Sequence, residues 1–372
     1  MPQVITDSAA LAQALARLAH APWLALDTEF MRERTYYPQL CLIQLGADED
    51  SVIIDPLAID DLSPLAEFLA VPTRGLLVHA ARQDLEALAR RGIAPAGPLF
   101  DTQIAAMLLG HSEQASYAAL VVHFCAVTLD KSQTRTDWSQ RPLSPAQLDY
   151  AAEDVRYLPT LQARLETDLR AADKLPWLWE ETTALVAATR QGDAPDEAWR
   201  RVKGLDALPA PSAARVRALA LWREELAQTR DVPRGWILKD EVMFALVRAA
   251  PTNATQLAAV PGLPPATLRK HGHALLACLA ASPDAFAQPE PGAWRLSRPG
   301  QTLLGELQTL IRETGERLSI TPTFMANRRE LERLILGESP GRLSAGWRAR
   351  LVGEMLAARV AAVPLEERRL RV

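Results

Sequence analysis

Two carboxylates stand two residues apart in the stretch WLALDTEF, residues 23–30. The apolar first half is typical of a buried strand, and side chains at positions i and i+2 of a strand leave the same face. Asp27 and Glu29 would therefore stand side by side at the end of the strand, where two anions repel each other and resist ionisation. A divalent cation between them is the simplest partner. An ordinary strand end, with a capping Asp and a solvated Glu, explains the pair equally well.

A third acid, Asp84, lies in the helical segment AARQDLEALARRG, which follows the apolar run LLVH at residues 76–79. Arg82, Glu86 and Arg90 form an i,i+4 row that is typical of a solvated helix face. At about 100° per residue, Asp84 points away from that row. The helix N-terminus can explain this acid as readily as a functional role can.

A fourth acid, Asp154, lies in the predicted helix LSPAQLDYAAEDVRYLPTLQARL, residues 143–165. The helical stripe that contains Asp154 begins at Tyr150, one turn earlier, and continues through three leucines that are typical of a core. A lone carboxylate in that position is costly to bury unless it is paired or bound to a metal ion. This helix therefore gives the strongest indication of a site.

In this order, the acidic motifs resemble the three exonuclease motifs of the DEDD superfamily, in its tyrosine-bearing branch. The segments WLALDTEF, LCLIQLG, HAARQDLEAL, LDKSQTRTDWSQRPL and YAAEDVRYL are similar to the ribonuclease D family in particular. The resemblance covers the first half of the chain, and all five motif positions match. It implies an α/β ribonuclease H-like exonuclease domain over residues 1–170, with a five-stranded mixed sheet flanked by helices.

The resemblance also implies a site in which four carboxylates hold two divalent metal ions, Mg²⁺ or Mn²⁺, which prefer oxygen ligands. Asp27 would bridge both ions, Glu29 and Asp154 would complete the site of the ion that activates water, and Asp84 would support the second ion. Tyr150 would orient the attacking water, because an ordinary tyrosine pKa of about 10 favours positioning over proton abstraction. The product would be a nucleoside 5′-monophosphate released from a 3′ end.

Further candidates lie near these motifs. Lys131 and Trp138 occupy a polar loop before the motif helix, where a cation and an aromatic ring could hold a phosphate and stack a base. The family resemblance favours Lys131 as a nucleotide contact, whereas core packing explains Trp138 equally well. Asp101 precedes a helical segment and is more typical of an N-cap than of a fifth ligand.

Bulk composition limits the class of protein. A chain of 372 residues with 48% hydrophobic and 23% charged residues predicts two or three globular domains. Three scattered cysteines without a CxxC motif argue against a disulfide framework and a thiolate zinc site. With no apolar run long enough to span a bilayer and no leader pattern at the N-terminus, we expect a cytoplasmic protein without membrane contact.

The charge is divided unevenly between the two halves. Residues 1–200 contain 16 Lys and Arg against 28 Asp and Glu, a net charge of −12, whereas residues 201–372 contain 25 against 17, a net charge of +8. An acidic half joined to a basic half favours a metal-binding centre beside a surface that attracts polyanions.

The sequence pattern predicts that the second half of the chain is helical. Three tryptophans in residues 171–207 predict a packed helical linker, because a free linker is poor in aromatic residues. Residues 208–287 resemble the HRDC domain, a helical module associated with nucleic-acid binding, and residues 295–372 resemble a second, degenerate copy. Two all-α HRDC-like domains would thus follow the exonuclease domain. The candidate backbone contacts, each explained equally well as a solvated helix end, are Lys239, Arg269 and Lys270.

Together the motifs and the resemblance predict a metal-dependent 3′–5′ exoribonuclease. The family resemblance implies that it trims the 3′ ends of tRNA precursors and other small structured RNAs. The expected partner is RNA with a free 3′ end, and a monomer is the simplest assembly. Two alternatives stay open: a 3′–5′ DNA exonuclease, since the same motifs serve proofreading, and a non-catalytic RNA-binding scaffold. The five intact motif residues count against the scaffold.

Overall fold

The computed structural model describes residues 3–47, 50–112, 115–130, 132–134, 136–192, 194–205, 208–280 and 294–371. Its N-terminal part contains a six-stranded sheet with the order β1-β4-β3-β2-β5-β6. The strands are β1 (Gln3–Ile5), β2 (Trp23–Met31), β3 (Gln39–Ala47), β4 (Asp50–Ile54), β5 (Gly75–Val78) and β6 (Leu99–Asp101). The antiparallel β2-β3-β4 meander and the parallel additions confirm a mixed sheet. The expected number of five strands is wrong, because the three-residue β1 is too short to show a pattern.

Helices cover both faces of this sheet. They are α1 (Ser8–Leu18), α2 (Ser63–Leu69), α3 (Arg82–Ala89), α4 (Thr102–Leu108), α5 (Tyr117–Cys125), α6 (Pro145–Arg156), α7 (Leu158–Ala171) and α8 (Leu175–Gln191). Leucines of α1 to α3 pack with Leu24 and Leu26 of β2 in one buried cluster. Residues of α4 to α8 pack with Ala25 of the same strand in another. Alternate residues of β2 therefore face different helical layers.

The helix predicted over residues 143–165 is broken. α6 ends at Arg156, and α7 begins at Leu158 after the single residue Tyr157. Pro159 explains the break, because its nitrogen has no hydrogen to donate to the carbonyl of Val155 four residues earlier. The Leu-Pro-Thr sequence was the signal for it.

The second half is mainly helical. Its first module comprises α9 (Ala210–Arg230), α10 (Arg234–Ile237), α11 (Asp240–Ala249), α12 (Ala254–Ala258) and α13 (Pro265–Leu279), with a core of its own. The C-terminal module comprises β7 (Trp294–Leu296), α14 (Arg298–Leu318), α15 (Pro322–Met325), α16 (Arg328–Ile335), α17 (Gly346–Arg348), α18 (Glu354–Ala361), α19 (Leu365–Arg368) and β8 (Arg369–Arg371). The described residues also include 3-10 helices at Pro195–Arg201 and Gly341–Ser344 and a π-helical turn at Ala349–Gly353. The β7-β8 ribbon means that the C-terminal module is not all-α as expected.

The linker is a packed joint, as its tryptophans predict. Trp177 stacks on Trp347 of the C-terminal module with ring centroids 5.1 Å apart. Trp179 stacks on Trp23 at the start of β2, at 6.2 Å. Aromatic stacking of this kind stabilises beyond the buried area alone. The joint therefore fixes the C-terminal module against the sheet.

The first helical module is attached next to the strand that carries the two motif acids. The Tyr36 hydroxyl, a few residues beyond β2, donates a hydrogen bond to the buried Glu224 of α9. Asp231 accepts hydrogen bonds from the backbone N–H groups of Tyr36 (3.1 Å) and Tyr37 (3.0 Å).

Within the described ranges, no helix combines the length and apolar character needed to cross a membrane.

Candidate active site

Three carboxylates converge between β2 and α6. Single carboxylate oxygens of Asp27, Glu29 and Asp154 all lie within 4.8 Å of one another. The first two acids leave the same face of β2, and α6 covers that face: an added Cβ at Gly46 of β3 would lie 3.5 Å from the Val155 side chain on α6. Such spacing suits one small cation shared by three oxygen ligands.

Asp84 lies beside this group but is not part of it. Its side chain is 7% exposed, and its carboxylate accepts a 2.6 Å hydrogen bond from the hydroxyl of Thr28. Thr28 stands between Asp27 and Glu29, so its side chain leaves the opposite face of β2, where α3 packs. The structure thus gathers three of the four predicted acids and links the fourth to them through the strand.

The turn that presents Asp84 is held by Asp101. This side chain, 1% exposed, accepts hydrogen bonds from the N–H groups of Ala80 (3.1 Å) and Ala81 (2.9 Å) just before α3. It also caps α4 through Gln103 N–H at 2.9 Å, so the predicted N-cap is confirmed. Ala80 adopts a left-handed conformation with φ of 62°, which costs energy for a residue with a Cβ. Asp101 compensates for that strain, a role that no sequence pattern indicated.

Tyr150 completes the site from α6. Burial raises the pKa of Asp154, and a hydrogen bond from the Tyr150 side chain partly offsets that rise. Burial also raises the pKa of the Tyr150 phenol well above its ordinary value. The hydroxyl is therefore un-ionised near neutral pH and acts as a hydrogen-bonding group, as predicted from ordinary tyrosine chemistry.

Trp138 and Lys131 are the two candidates from the loop before α6. Trp138 is only 2% exposed, and its ring centroid lies 6.0 Å from that of Tyr150. It packs in a small core with Leu42 and Ala151. Burial corrects the expectation that Trp138 stacks a base, because its ring faces other side chains and supports the tyrosine instead. Lys131 lies outside the described residues.

Tyr117 of α5 is a site residue that the sequence did not indicate. Its hydroxyl donates a 2.8 Å hydrogen bond to the carbonyl of Glu153 and accepts a 3.0 Å hydrogen bond from the N–H of Tyr157. In an unbroken helix these two backbone groups would bond each other, four residues apart. The hydroxyl is thus inserted into the helical ladder at the end of α6, one residue from Asp154, and fixes that end of the helix.

Gln44 of β3 supplies a further polar group beneath the site. It pairs in register with Asp27, and directly opposite residues of an antiparallel pair share a face. The side chain is fully buried, and neither amide atom has a hydrogen-bond partner within the described residues. A buried amide without partners is costly. Its presence fits a site that takes polar atoms from outside the chain.

The electrostatics of the site also favour a cation. Burial, followed by the charges of Asp84, Asp154 and Glu29, raises the pKa of Asp27 well above its ordinary value. Burial, followed by the charges of Asp154 and Asp84, raises the pKa of Glu29 to about 9. Burial raises the pKa of Asp154 and of Asp84 to about 7 each. Four acids that resist ionisation would ionise together once positive charge is supplied.

The three predicted contacts in the first helical module lie on its surface. Lys239 immediately precedes α11 and is 3.8 Å from Glu241, and Arg269 and Lys270 are exposed on α13. Exposure is compatible with both phosphate contact and simple solvation. Their role in binding RNA stays a prediction.

Comparison with known proteins agrees with this geometry. Residues 2–170 match the 3′–5′ exonuclease family, and residues 212–279 match the HRDC domain. With one HRDC match, the second copy expected in the C-terminal module is not confirmed.

Relatives named ribonuclease D match over most of their length. The protein of Acidiphilium cryptum is 38% identical over 359 residues, which cover 95% of this chain and 91% of the relative. That of Pseudomonas paraeruginosa is 36% identical over 370 residues, covering 95% and 96%. The crystal structure of Escherichia coli RNase D, an exoribonuclease involved in structured RNA processing, is 34% identical, with a TM-score of 0.86 and coverage of 98% and 100%. The chain therefore belongs to the ribonuclease D family and is a 3′–5′ exoribonuclease.

Proposed function

We propose that this exoribonuclease uses two divalent metal ions, Mg²⁺ or Mn²⁺, to trim the 3′ ends of tRNA precursors and other small structured RNAs. The observation that carries the proposal is the convergence of oxygens from Asp27, Glu29 and Asp154 within 4.8 Å. An all-oxygen donor set of this kind suits hard cations and is a poor site for softer metals.

Each acid has a distinct part in the proposal. Asp27 feels the charges of the other three acids and would help to hold both ions. Glu29 and Asp154 would help to hold one ion, and Asp84, whose carboxylate accepts a 2.6 Å hydrogen bond from Thr28, would help to hold the second. When bound, the ions would stabilise the charge that develops on the attacking and leaving oxygens of an in-line phosphoryl displacement.

Tyr150 would orient the attacking water. Its hydroxyl is tied to Asp154 and is kept un-ionised by burial, so it directs water through a hydrogen bond without removing a proton outright. The buried Trp138 keeps the tyrosine ring in place. Attack on the terminal phosphodiester would release a nucleoside 5′-monophosphate.

Structured RNA is the favoured substrate class. The E. coli relative is described as an exoribonuclease involved in structured RNA processing, and this chain covers all of that relative. Lys131, Lys239, Arg269 and Lys270 are the proposed backbone contacts. A free 3′ end and a monomeric enzyme belong to the same proposal.

One experiment tests the activity and its metal. Labelled RNA and DNA of one sequence are offered to the full chain with Mg²⁺, with Mn²⁺ or with a chelator. The same substrates are offered to Asp154→Asn and to a control, Asp149→Asn, at an exposed position of the same helix. We expect 5′-monophosphates from RNA with metal, none with chelator, and none from Asp154→Asn. Equal turnover of DNA would contradict the RNA preference, and no turnover by the unaltered chain would favour the scaffold alternative.

A further inference from the structure

A cleft rich in arginine lies at the junction between the linker and the C-terminal module. It has a volume of about 510 Å³ and is formed by the 3-10 helix Pro195–Arg201, by β7 and by α16. We name it the basic groove, and its principal lining residues are Trp199, Arg200, Trp294, Arg295, Arg329 and Arg333.

Aromatic rings hold guanidinium groups in and around the basic groove. The Arg200 guanidinium lies 4.6 Å from the ring centroid of Trp199, and Arg217 lies 4.2 Å from the same ring. Arg369 lies 3.9 Å from the ring centroid of Trp294. Stacking on indole rings restricts these flexible side chains at modest energetic cost. The cations are therefore arranged before any ligand arrives.

The cations of the basic groove outnumber the anions beside them. Arg200 forms an ion pair with Glu197. Arg333 pairs with Glu338 at 3.1 Å, and Glu332 is engaged by Arg328 at 2.7 Å. Arg295 and Arg329 are exposed, and neither has an ion-pair partner in the part of the chain that the structure describes. Arg329 and Arg333 lie close enough to Arg200 that, after burial, their charges lower its pKa. Like charges gathered in a concave surface attract an anionic ligand.

We propose that the basic groove binds the phosphodiester backbone of single-stranded RNA at a point away from the 3′ nucleotide that is removed. The planar fork of arginine matches phosphate oxygens, and a cleft of this volume has room for one or two nucleotides but not for a duplex. Its lining residues come from the linker and the C-terminal module, whereas the carboxylates come from β2 and α6. The inference rests on the proposed function, because it assigns to the RNA substrate a second contact beyond the reaction centre.

A binding experiment tests the basic groove in the full chain. Affinity for a fluorescent single-stranded RNA of about 20 nucleotides is measured in chelator, which prevents cleavage, at roughly 50 to 200 mM salt. The groove pair Arg329→Gln/Arg333→Gln is compared with the control pair Arg312→Gln/Arg317→Gln, which removes the same charge from exposed positions of α14. We expect the groove pair to bind about tenfold more weakly and to lose about one to two from the salt slope, because each phosphate contact releases counterions. The control pair keeps both values.

Equal affinity and equal slope for the two pairs would overturn the proposal. The single variant Arg329→Gln alters an exposed side chain, so a loss of affinity with an unchanged melting temperature separates lost contact from misfolding. If the native chain binds poly-glutamate and the groove pair does not, while RNA binding persists in both, the groove serves an acidic protein segment and the RNA proposal is overturned. Cleavage of labelled RNA with Mg²⁺ by the native chain is measured separately. Groove-dependent binding without cleavage would support the groove and contradict the proposed function.

Discussion

The carboxylate site and the basic groove gather like charges in opposite ways. In the site, burial and mutual repulsion raise the pKa of Glu29 to about 9 and that of Asp154 to about 7. In the groove, the cations of Arg295 and Arg329 remain exposed, and indole rings support their neighbours. A small hard cation requires closely placed oxygen ligands. A polyanion requires charge that it can reach, even though salt then screens the interaction.

The largest expected effect comes from breaking the carboxylate site. Asp154→Asn replaces one of three converging carboxylates, the one that Tyr150 contacts, with an uncharged amide, so we expect kcat to fall by roughly 10³-fold or more at saturating RNA. Affinity for RNA in chelator should not fall, because the basic groove is intact. The exposed Asp149→Asn provides the control for a lost charge on α6. A loss of RNA affinity equal to the loss of kcat would show that the two regions do not act separately.

Removal of the Tyr150 hydroxyl should lower kcat by a smaller factor. Tyr150→Phe keeps the ring that packs beside Trp138 but removes the hydrogen bond to Asp154. We expect kcat to fall by about 10²-fold while the Mg²⁺ concentration at half-activity changes little, since positioning of water is lost and the ligands remain. Steady-state rates across a Mg²⁺ titration measure both quantities. A shifted metal requirement with normal kcat would instead make the hydroxyl a support for the ligand.

Tyr117→Phe tests a residue that acts through the helix end. Without its hydroxyl, the carbonyl of Glu153 and the N–H of Tyr157 lose their shared partner next to Asp154. We expect the Mg²⁺ concentration at half-activity to rise about tenfold, with kcat largely recovered at high Mg²⁺. Tyr157→Phe is the control, because within the described residues its own hydroxyl makes no hydrogen bond. A fall in kcat that excess metal does not restore would contradict this positioning role.

Local periodicity singled out the candidate acids, and the family resemblance joined them into one site. The strand period of two places Asp27 beside Glu29, and the helix period of 3.6 places Asp154 in line with a core stripe. The prediction that Asp84 points away from the polar row of α3 was also correct, since its side chain is buried. What periodicity did not show is that Asp84 reaches β2 from the opposite face, because this depends on which layer α3 joins.

Groups assembled from distant segments were not predictable in the same way. The hydroxyl of Tyr117 enters a helix about 40 residues further along the chain, as its hydrogen bond to Tyr157 shows. Trp199, Trp294 and Arg329 meet only after the linker and the C-terminal module have packed. The net charge of +8 in residues 201–372 indicated a basic surface. It did not indicate which part of that surface would form a groove. For Trp138 the sequence was misleading, because its polar neighbours suggested an exposed loop whereas its side chain is buried.

Burial of like charges should destabilise the metal-free protein, although this effect is smaller than those on kcat. The pKa of Glu29 rises from an ordinary value of 4.5 to about 9 because of burial and the neighbouring acids. Between these two values the folded chain retains a proton that the unfolded chain releases, so stability without metal falls as pH rises through this window. Glu29→Gln removes the titration. At about pH 8 in chelator we expect its melting temperature to exceed that of the native chain by roughly 2–4 °C.

The pH dependence of this difference in melting temperature tests whether the titration of Glu29 causes it. Near pH 4 both folded and unfolded Glu29 are largely protonated, so the difference between the native chain and Glu29→Gln should vanish. The exposed Glu33→Gln controls for a change in net charge. Saturating Mg²⁺ should reverse the order at pH 8, because it binds the ionised cluster of the native chain and stabilises the folded state by an amount that grows with the logarithm of its concentration over Kd. A native chain that is as stable as Glu29→Gln at pH 8 in chelator would mean that solvent or a nearby cation already neutralises the acids, and the contrast with the exposed basic groove would fail.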